Sequence, residues 1–443
     1  MDIAAIDIGL LTLIVLGAML FLLLTGMPAA FVLLGLSAVG FWVLRGSAGT
    51  VVLGLAFFSM ITKDIFIALP TFIFMASLLE ISGLGSVMYE TMYKWFAGLR
   101  GGLAMGTILI GMFLAAMTGS AATATLTMGL LAYPEMAKRG YDKKLMVGTI
   151  PASGSLGPLI PPSVPMILVA AILNASIGKL FMAGVIPGIL TGLGYMVYIG
   201  IRCWRNPGMG PSIPVDERAN MREKLLALRA AIMPIGLIFL VLGLIYLGIA
   251  TPSEAGGVGA MGALACAAIY RNLTLRNLKR ATQTSVKLTA MLMWLLATGS
   301  MFSALLGVMG IQAYTQTTIL NLQMSPEMTI AFIMVLVLIL GMFIDATPIT
   351  VIFLPIFYPI VTHLGFDIIW FGLMFSMAII IGIMTPPFGM VLFYFKGLNL
   401  PGVTMGDIFR AIVPFFSIMI VVLVLVFFVP SLATWLPAHM IRG

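Results

Sequence analysis

Asp345 stands between two apolar runs, in the turn Asp345-Ala346-Thr347-Pro348. A gapless offset of 225 residues carries it onto Ser120, in the turn Thr118-Gly119-Ser120-Ala121, which also separates two apolar runs. Hydroxyls, exposed backbone and a carboxylate at such turns suit the grip of a small hard cation, which takes oxygen ligands. The flanking runs add to this. A half-helix ending inside a membrane directs carbonyls inward at its C-terminus and N–H groups inward at its N-terminus. The C-terminal ends of Leu103–Met117 and Met328–Ile344 therefore suit a cation, and the N-terminal ends of the half-helices that follow suit an anionic group. Gly119, Ser120 and Thr123 offer backbone and hydroxyls at the first turn, Asp345 and Thr347 at the second. Small residues at these turns would also serve close helix packing.

A carboxylate at the bilayer centre costs roughly 2.5–3.5 kcal/mol on insertion scales. Capping competes with ligation as the role of Asp345, but Thr347, with Pro348 after it at the first helical position, is the better cap by type. An ionised Asp beside that N-terminus would compete with an anionic substrate, so cation coordination or anchoring of the turn is its expected task. Glu254 has a plainer role: Thr251-Pro252-Ser253-Glu254 is a capping box with Pro at the first helical position, and Thr404–Asp407 reads as another helix start.

Two proline breaks form the second constellation. Ser153-Gly154-Ser155-Leu156-Gly157-Pro158 leads into Pro161-Pro162-Ser163, and the same offset places Gly382, Thr385, Pro386-Pro387 and Gly389 in the second copy. Consecutive prolines remove two N–H donors and stop a helix arriving from the N-terminal side. The freed carbonyls are tolerated at membrane depth only inside protein or along a cavity. A simple proline kink is the competing reading.

Elements must bring these residues together. Leu103–Met117 and Thr123–Met136 hold about fourteen or fifteen residues each, and at about 1.5 Å per residue neither crosses a core of about 30 Å. Both flanks are basic, with Lys94 and Arg100 before and Lys138, Arg139, Lys143 and Lys144 after, which places both ends in the cytoplasm. The pair reads as a re-entrant hairpin. The second, Met328–Ile344 with Ile349–Val361, has Glu327, His363 and Asp367 at its ends and opens from the outside. Between the hairpins run Lys143–Asn174, Lys179–Trp204, Ala231–Ile249, Ala255–Tyr270 and Leu288–Val308, an odd number of crossings that inverts the second copy. Ile6–Leu24, Met27–Leu44, Ile65–Ile81 and Ile408–Val429 are further spans. Thr50–Ile61 is too short to cross and reads as an interfacial arm.

The division is a first repeat over 1–205 (spans 6–44, arm 50–61, hairpin 103–138, broken helix 143–174) and a connector over 206–230. A second repeat follows over 231–430 (spans 231–270, hairpin 326–362, broken helix 367–398), then a tail over 431–443. Matches at Gly, Pro and Asp support the repeat because these residues fix backbone geometry. Tyr133-Pro134 falls on Tyr358-Pro359, Asp142 on Asp367, and Gly85 on Gly310. The basic loops Arg205–Arg229 and Arg271–Lys287 fall inside, whereas Arg45, Lys63 and Arg442 fall outside, against the positive-inside pattern.

Composition bounds the class. The chain is 61% hydrophobic and 9% charged, with a mean hydropathy of +1.16, far from the roughly 25% charged residues of a soluble domain. The runs are continuous rather than alternating, so the fold is all-α and polytopic. The first run lacks a basic leader and reads as a retained span. The net charge of +8 sits in loops and does not point to nucleic acid. Cys203, Cys266, His363 and His439 suggest neither a metal centre nor a redox motif, and no nucleophile–base pair lies within a span, so no enzyme or cofactor is expected.

Thr118-Gly119-Ser120, the Gly157–Ser163 stretch, Thr251-Pro252-Ser253-Glu254-Ala255-Gly256, the Asp345–Pro359 hairpin and Met384-Thr385-Pro386-Pro387 together resemble the large permease subunit of tripartite ATP-independent periplasmic (TRAP) transporters. The resemblance covers essentially the whole chain. It implies an inverted-repeat elevator in a bacterial inner membrane that imports organic acid anions with sodium. It implies two partners, a small four-helix membrane subunit and a periplasmic substrate-binding protein. It places one sodium at Gly119, Ser120, Ser153 and Gly157 and another at Asp345, Thr347, Gly382 and Thr385, with substrate between, near Ser163 and Gly389. Thr123 and the two Pro-Pro pairs, Pro161-Pro162 and Pro386-Pro387, border that space. Ala122-Thr123-Ala124 are neutral where many relatives are acidic. A standalone sodium–dicarboxylate or citrate symporter of the same hairpin plan is the alternative.

Overall fold

The computed structural model describes residues 7–214 and 218–441; Asp2 and Arg442 lie outside them. Among these residues the chain is helical and without strands. The first half runs through α1 (Ile8–Leu24), α2 (Ala29–Arg45), α3 (Ala48–Ile61), α4 (Ala68–Ile81), α5 (Leu84–Phe96), α6 (Gly102–Thr118), α7 (Ala121–Lys138), α8 (Lys143–Ser155), α9 (Val164–Leu173) and α10 (Ile177–Arg205). The second runs through α11 (Met221–Tyr246), α12 (Pro252–Ile269), α13 (Leu275–Val308), α14 (Ile311–Leu320), α15 (Pro326–Phe343), α16 (Ala346–His363), α17 (Ile368–Met384), α18 (Met390–Lys396) and α19 (Met405–Phe428), with α20 (Ser431–Ala438) last.

The bounds of α7 and α16 coincide under the 225-residue offset, and the Asp142 and Asp367 side chains cap α8 and α17 at matching positions. Further upstream the offset slips. Gly83 (φ +75) and Gly310 (φ +76) hold the same left-handed position ahead of α5 and α14. They are 227 residues apart, so Gly83 rather than Gly85 is the structural partner of Gly310.

Several boundaries depart from the sequence reading. The hairpin helices α6, α7, α15 and α16 have 17, 18, 18 and 18 residues, so length alone does not prevent a crossing. The 50–61 segment lies in helix α3, which packs against α2 and α13. Short helices α5 and α14 lead from α4 and α13 into the hairpins. Much of the basic loops is helical as well. An Asn220–Glu223 capping box starts α11, and Thr274 caps α13, so Arg222, Lys224, Arg276, Lys279 and Arg280 ride on helices whose ends reach toward water. The two capping readings at Thr251–Glu254 and Thr404–Asp407 hold, with reciprocal bonds in each. The connector docks on the base of the first hairpin: Gly101 N donates to Gly210 O and Asp142 N to Met209 O, both at 2.8 Å.

Packing divides the helices into two groups. α4 lies along α12 and α13, α13 along α2 and α3, and α11 along α5 and α12. In the other group α8 packs between α6 and α7, α15 lies along α17, and the copies interlock, with α16 on α9 and α18 on α7. Glycine sets the closest of these approaches. A Cβ on Gly341 of α15 would lie 2.9 Å from Gly382 Cα of α17. Gly341→Val is expected to destabilise the protein by about 1–3 kcal/mol through overpacking. Gly17→Ala, in a helix with open space around it, should be neutral or slightly stabilising. Thermal unfolding of the purified variants checks both, and equal midpoints would remove the close α15–α17 contact.

Candidate functional site

Both hairpin tips and both proline breaks meet at one cavity of about 450 Å³. Thr118–Thr123 and Asp345–Thr347 line it from the tips, Pro158, Val164 and Pro165 from the first break, and Ile383 and Tyr394 from either side of the second. Its opposite wall is one helix from each repeat: Ile73, Ala76, Ser77 and Glu80 of α4, and Thr284, Leu288, Met291 and Leu292 of α13.

The first tip turns on Gly119, whose φ of +60 lies in the left-handed region that disfavours side chains. Space enforces the same choice, since a Cβ there would sit 3.2 Å from Val164 N and 3.4 Å from Pro162 O. Ser120 then caps α7, its hydroxyl accepting from Thr123 N at 3.4 Å. Gly157 faces the same turn; a Cβ on it would lie 3.2 Å from Ser120 C and 3.3 Å from Ala121 N. Tip and break are thus in direct contact. Ser153 lies lower, fully buried against Gly111 of α6, its hydroxyl donating to Ile150 O at 2.7 Å.

The second tip is built differently. Ile344 is extended (φ −124), and Asp345 takes the cap position with no side-chain cap bond. Thr347 is therefore not the cap: α16 begins at Ala346, because Asp345 already has the extended backbone (φ −67, ψ 158) of a cap. Pro348 falls in the first turn, where a missing N–H leaves no gap in the helix. Gly389 N donates to Met342 O at 3.3 Å, which ties the second break to the last turn of α15. Gly382 is packed against Gly341 and Leu338 O, and the Thr385 hydroxyl donates to Ile381 O at 2.6 Å.

Of the residues singled out in the sequence, Gly119, Ser120, Thr123, Asp345 and Thr347 line the shared cavity. Ser153, Gly157, Gly382, Thr385 and Gly389 back the tips without lining it, and Pro161, Pro162, Pro386 and Pro387 shape the breaks behind it. Both Pro-Pro peptide bonds are cis. The buried Ser163 hydroxyl donates to Pro158 O at 2.7 Å, closing the first break on itself. Sequence reasoning missed Glu80 and Tyr394. Glu80 had a signal, a carboxylate at the end of an apolar run; Tyr394 had none, since the repeat places Val169 opposite it.

Among the described residues Glu80 and Asp345 are the charged side chains that line the cavity, and no Lys or Arg lines it. Asp345 makes no ion pair among the described residues, and the Tyr394 ring stands beside it. Arg280 acts on Glu80 from α13 without an ion pair between them. No group of His, Cys, Asp and Glu among the described residues could hold a metal centre of the usual kind.

Residues 16–432 match the family described as tripartite ATP-independent periplasmic transporter, DctM component. The chain belongs to this family. It is a multi-pass transporter permease and not an enzyme. Permeases of this family work with a small membrane subunit and a periplasmic binding protein. This permease is 33% identical over 374 residues to the C4-dicarboxylate TRAP transporter large permease protein DctM of Pseudomonas aeruginosa, covering 84% of this chain and 86% of that protein. It is 31% identical over 411 residues to the isethionate TRAP transporter permease protein DctMQ of Oleidesulfovibrio alaskensis, covering 93% of this chain and 64% of that one. Among solved structures it shares its fold with the YdaH transporter of Alcanivorax borkumensis, with a TM-score of 0.63 at 16% identity over 98% of this chain and 99% of that one.

The split between lining and backing residues is testable in the permease. Thr347→Cys and Thr284→Cys should react with a water-soluble maleimide in the folded protein. Ser153→Cys should react only after unfolding, as should the buried Cys203 and Cys266. Rapid labelling at Ser153→Cys would place that position in the cavity instead.

Proposed function

We propose that this permease imports a small organic acid anion, a carboxylate or sulfonate, together with sodium across a bacterial inner membrane. The observation that carries this reading is the charge of the cavity. Two helix C-termini and the carboxylates of Asp345 and Glu80 converge there without a basic side chain among the described residues. At an effective dielectric of about 20, an anion about 6 Å from Asp345 is repelled by about 3 kcal/mol. An anion therefore binds only once cations have neutralised the site, which is a physical basis for coupling. Sodium suits the oxygen ligands at the tips: backbone carbonyls, Ser120 and its repeat partner Asp345. Gly157 and Gly382 would bring the broken-helix backbone close to each ion, with Ser153 and Thr385 behind. The substrate would lie between the tips, held by Thr123, the N-terminal ends of α7 and α16, and the breaks near Ser163 and Gly389.

In this reading the hairpins are re-entrant and move with the broken helices past α4 and α13 as an elevator. The substrate arrives from the periplasmic binding protein, and the small subunit, of four helices, enlarges the stationary side. The names of the relatives support the anion class, and the paired tips support two cation sites.

Thermal unfolding of the purified permease in sodium against potassium, at equal ionic strength, tests the cation sites. Sodium at about 100 times its dissociation constant should stabilise by about 2.7 kcal/mol. Asp345→Ala should remove much of that rise while leaving the potassium midpoint near the parent value or above it. Identical midpoints in the two salts would rule out sodium at the tips. Sodium-dependent uptake of succinate and isethionate by vesicles holding the whole transporter then separates the two anion classes.

A further inference from the structure

A second cavity, of about 640 Å³, shares no lining residue with the one at the tips. α13 runs along both. Its first turns carry Arg276, Lys279, Arg280 and Lys287 and mark the cytoplasmic face. Residues 284–292 border the tip cavity and 296–307 the second one. At about 1.5 Å per residue the second cavity is centred roughly 20 Å further along α13, away from its basic end. It is therefore an outer cavity, walled by α3 and α13 on one side and by Ile172 of α9 and Val351 of α16 on the other.

Its charge is the reverse of that at the tips. Among the described residues Lys63 is the charged side chain that lines it, and no Asp or Glu does. The lysine is half-buried and makes no ion pair among the described residues. Its ammonium donates one hydrogen bond, to Asn174 Oδ1 at 3.0 Å, which leaves two of its three N–H groups for another acceptor. Hydroxyls share the cavity with it. Ser59 stands one helical turn before Lys63, and Ser300 Oγ of α13 donates to Ala56 O of α3 at 2.7 Å, which sets the serine face of α13 beside that turn. Ser303 Oγ accepts from Gln312 Nε2 at 3.1 Å, and its own proton has no protein acceptor among the described residues. A cavity of this size suits a small ligand, and a cleft lined by one sign of charge gathers ions of the other. A carboxylate or sulfonate brings several acceptor oxygens, enough to take bonds from the ammonium and the Ser303 hydroxyl together.

We propose that this outer cavity is a holding site for the organic acid anion, with the Lys63 ammonium as its charged anchor, and that the anion occupies it before it reaches the tips. Binding here needs no sodium, because no carboxylate has to be neutralised first. The site also gives a reason for a lysine on the outer face, against the charge pattern of the loops. The inference rests on the anion-import reading above.

The test uses the whole transporter in right-side-out membrane vesicles, with a bimane label on Ala304→Cys in the outer cavity as reporter. Cys203 and Cys266 are buried and stay unlabelled. External chloride is replaced by isethionate, and separately by succinate, at constant ionic strength in potassium without sodium. The label should report saturable binding of at least one of the two anions. Lys63→Gln should weaken that binding about threefold to tenfold, the size of one partly exposed charged contact, and Lys63→Arg should retain it. Asn174→Ala removes the bond but keeps the charge, and should retain it as well, as should Asp345→Ala at the distant tip. In sodium-dependent uptake Lys63→Gln should raise KM by a similar factor and leave the maximal rate near the parent. The outer site is overturned by no response to either anion, by an equal loss in Asn174→Ala, by a response that needs sodium or Asp345, by one seen only with anion trapped inside the vesicles, or by an unchanged KM. A sodium-independent response that Lys63→Gln weakens, without sodium-dependent uptake of either anion, leaves the site standing and overturns the import reading instead.

Discussion

No water inside hydrocarbon can satisfy a broken backbone, and the rest of this structure follows from that constraint. The chain breaks its helical backbone at two tips and two proline breaks, which meet at one cavity. Each interruption frees N–H and C=O groups that would cost several kcal/mol if left to lipid. The solution is to bury them against one another. Gly157 faces the Ser120–Ala121 backbone, Gly119 faces Pro162 and Val164, and Gly389 N reaches Met342 O. The glycines at these contacts are there because a Cβ would hold the interruptions apart. The cavity is the space left where four half-satisfied chain ends meet, and its polarity comes from backbone as much as from side chains.

That origin sets the electrostatics. Two helix C-termini and two carboxylates are a cation-seeking arrangement, and among the described residues no cationic side chain lines the cavity to answer it. A lysine or arginine there would pair permanently with Asp345 and bind the anion whatever the cation concentration. A site completed by a diffusible cation is instead conditional, which a coupled transporter requires. Glu80 extends the same logic to the wall. It belongs to α4, outside the hairpins; in the elevator proposed above its repulsion would act on an anion only when the tips are opposite that stretch of wall.

The architecture was legible in the sequence because its markers are conformational. Gly, Pro and Asp at matched positions disclosed the repeat, both tips and both breaks; Asp142 and Asp367, matched in the repeat, proved to be helix caps only in the structure. Tyr394 and Glu80 escaped because their importance comes from tertiary proximity, which leaves no periodic trace. The start of α16 escaped because Thr347-Pro348 is a good cap by type, yet the extended backbone already occurs at Asp345. Lengths failed where basic residues appear. Lys and Arg mark a membrane boundary, but a helix can run on through it when a cap such as Asn220 or Thr274 starts it further out.

The repeat also departs from symmetry where the chemistry lies. At the first tip a left-handed glycine and a serine make a neutral, self-capped turn; at the second an isoleucine and an aspartate make a charged turn without a side-chain cap. The first break is buried, whereas Pro387 and Phe388 of the second are exposed. Two cation sites of the kind proposed for these turns would be unequal. A cation beside Asp345 would answer a carboxylate that has no ion pair among the described residues, and would support the tip as well as bind there. A cation beside Ser120 would sit on a turn that already caps itself and would exchange with less rearrangement. Under the proposed function such a permease would fill the second tip first, and the duplicated fold would separate stability from exchange.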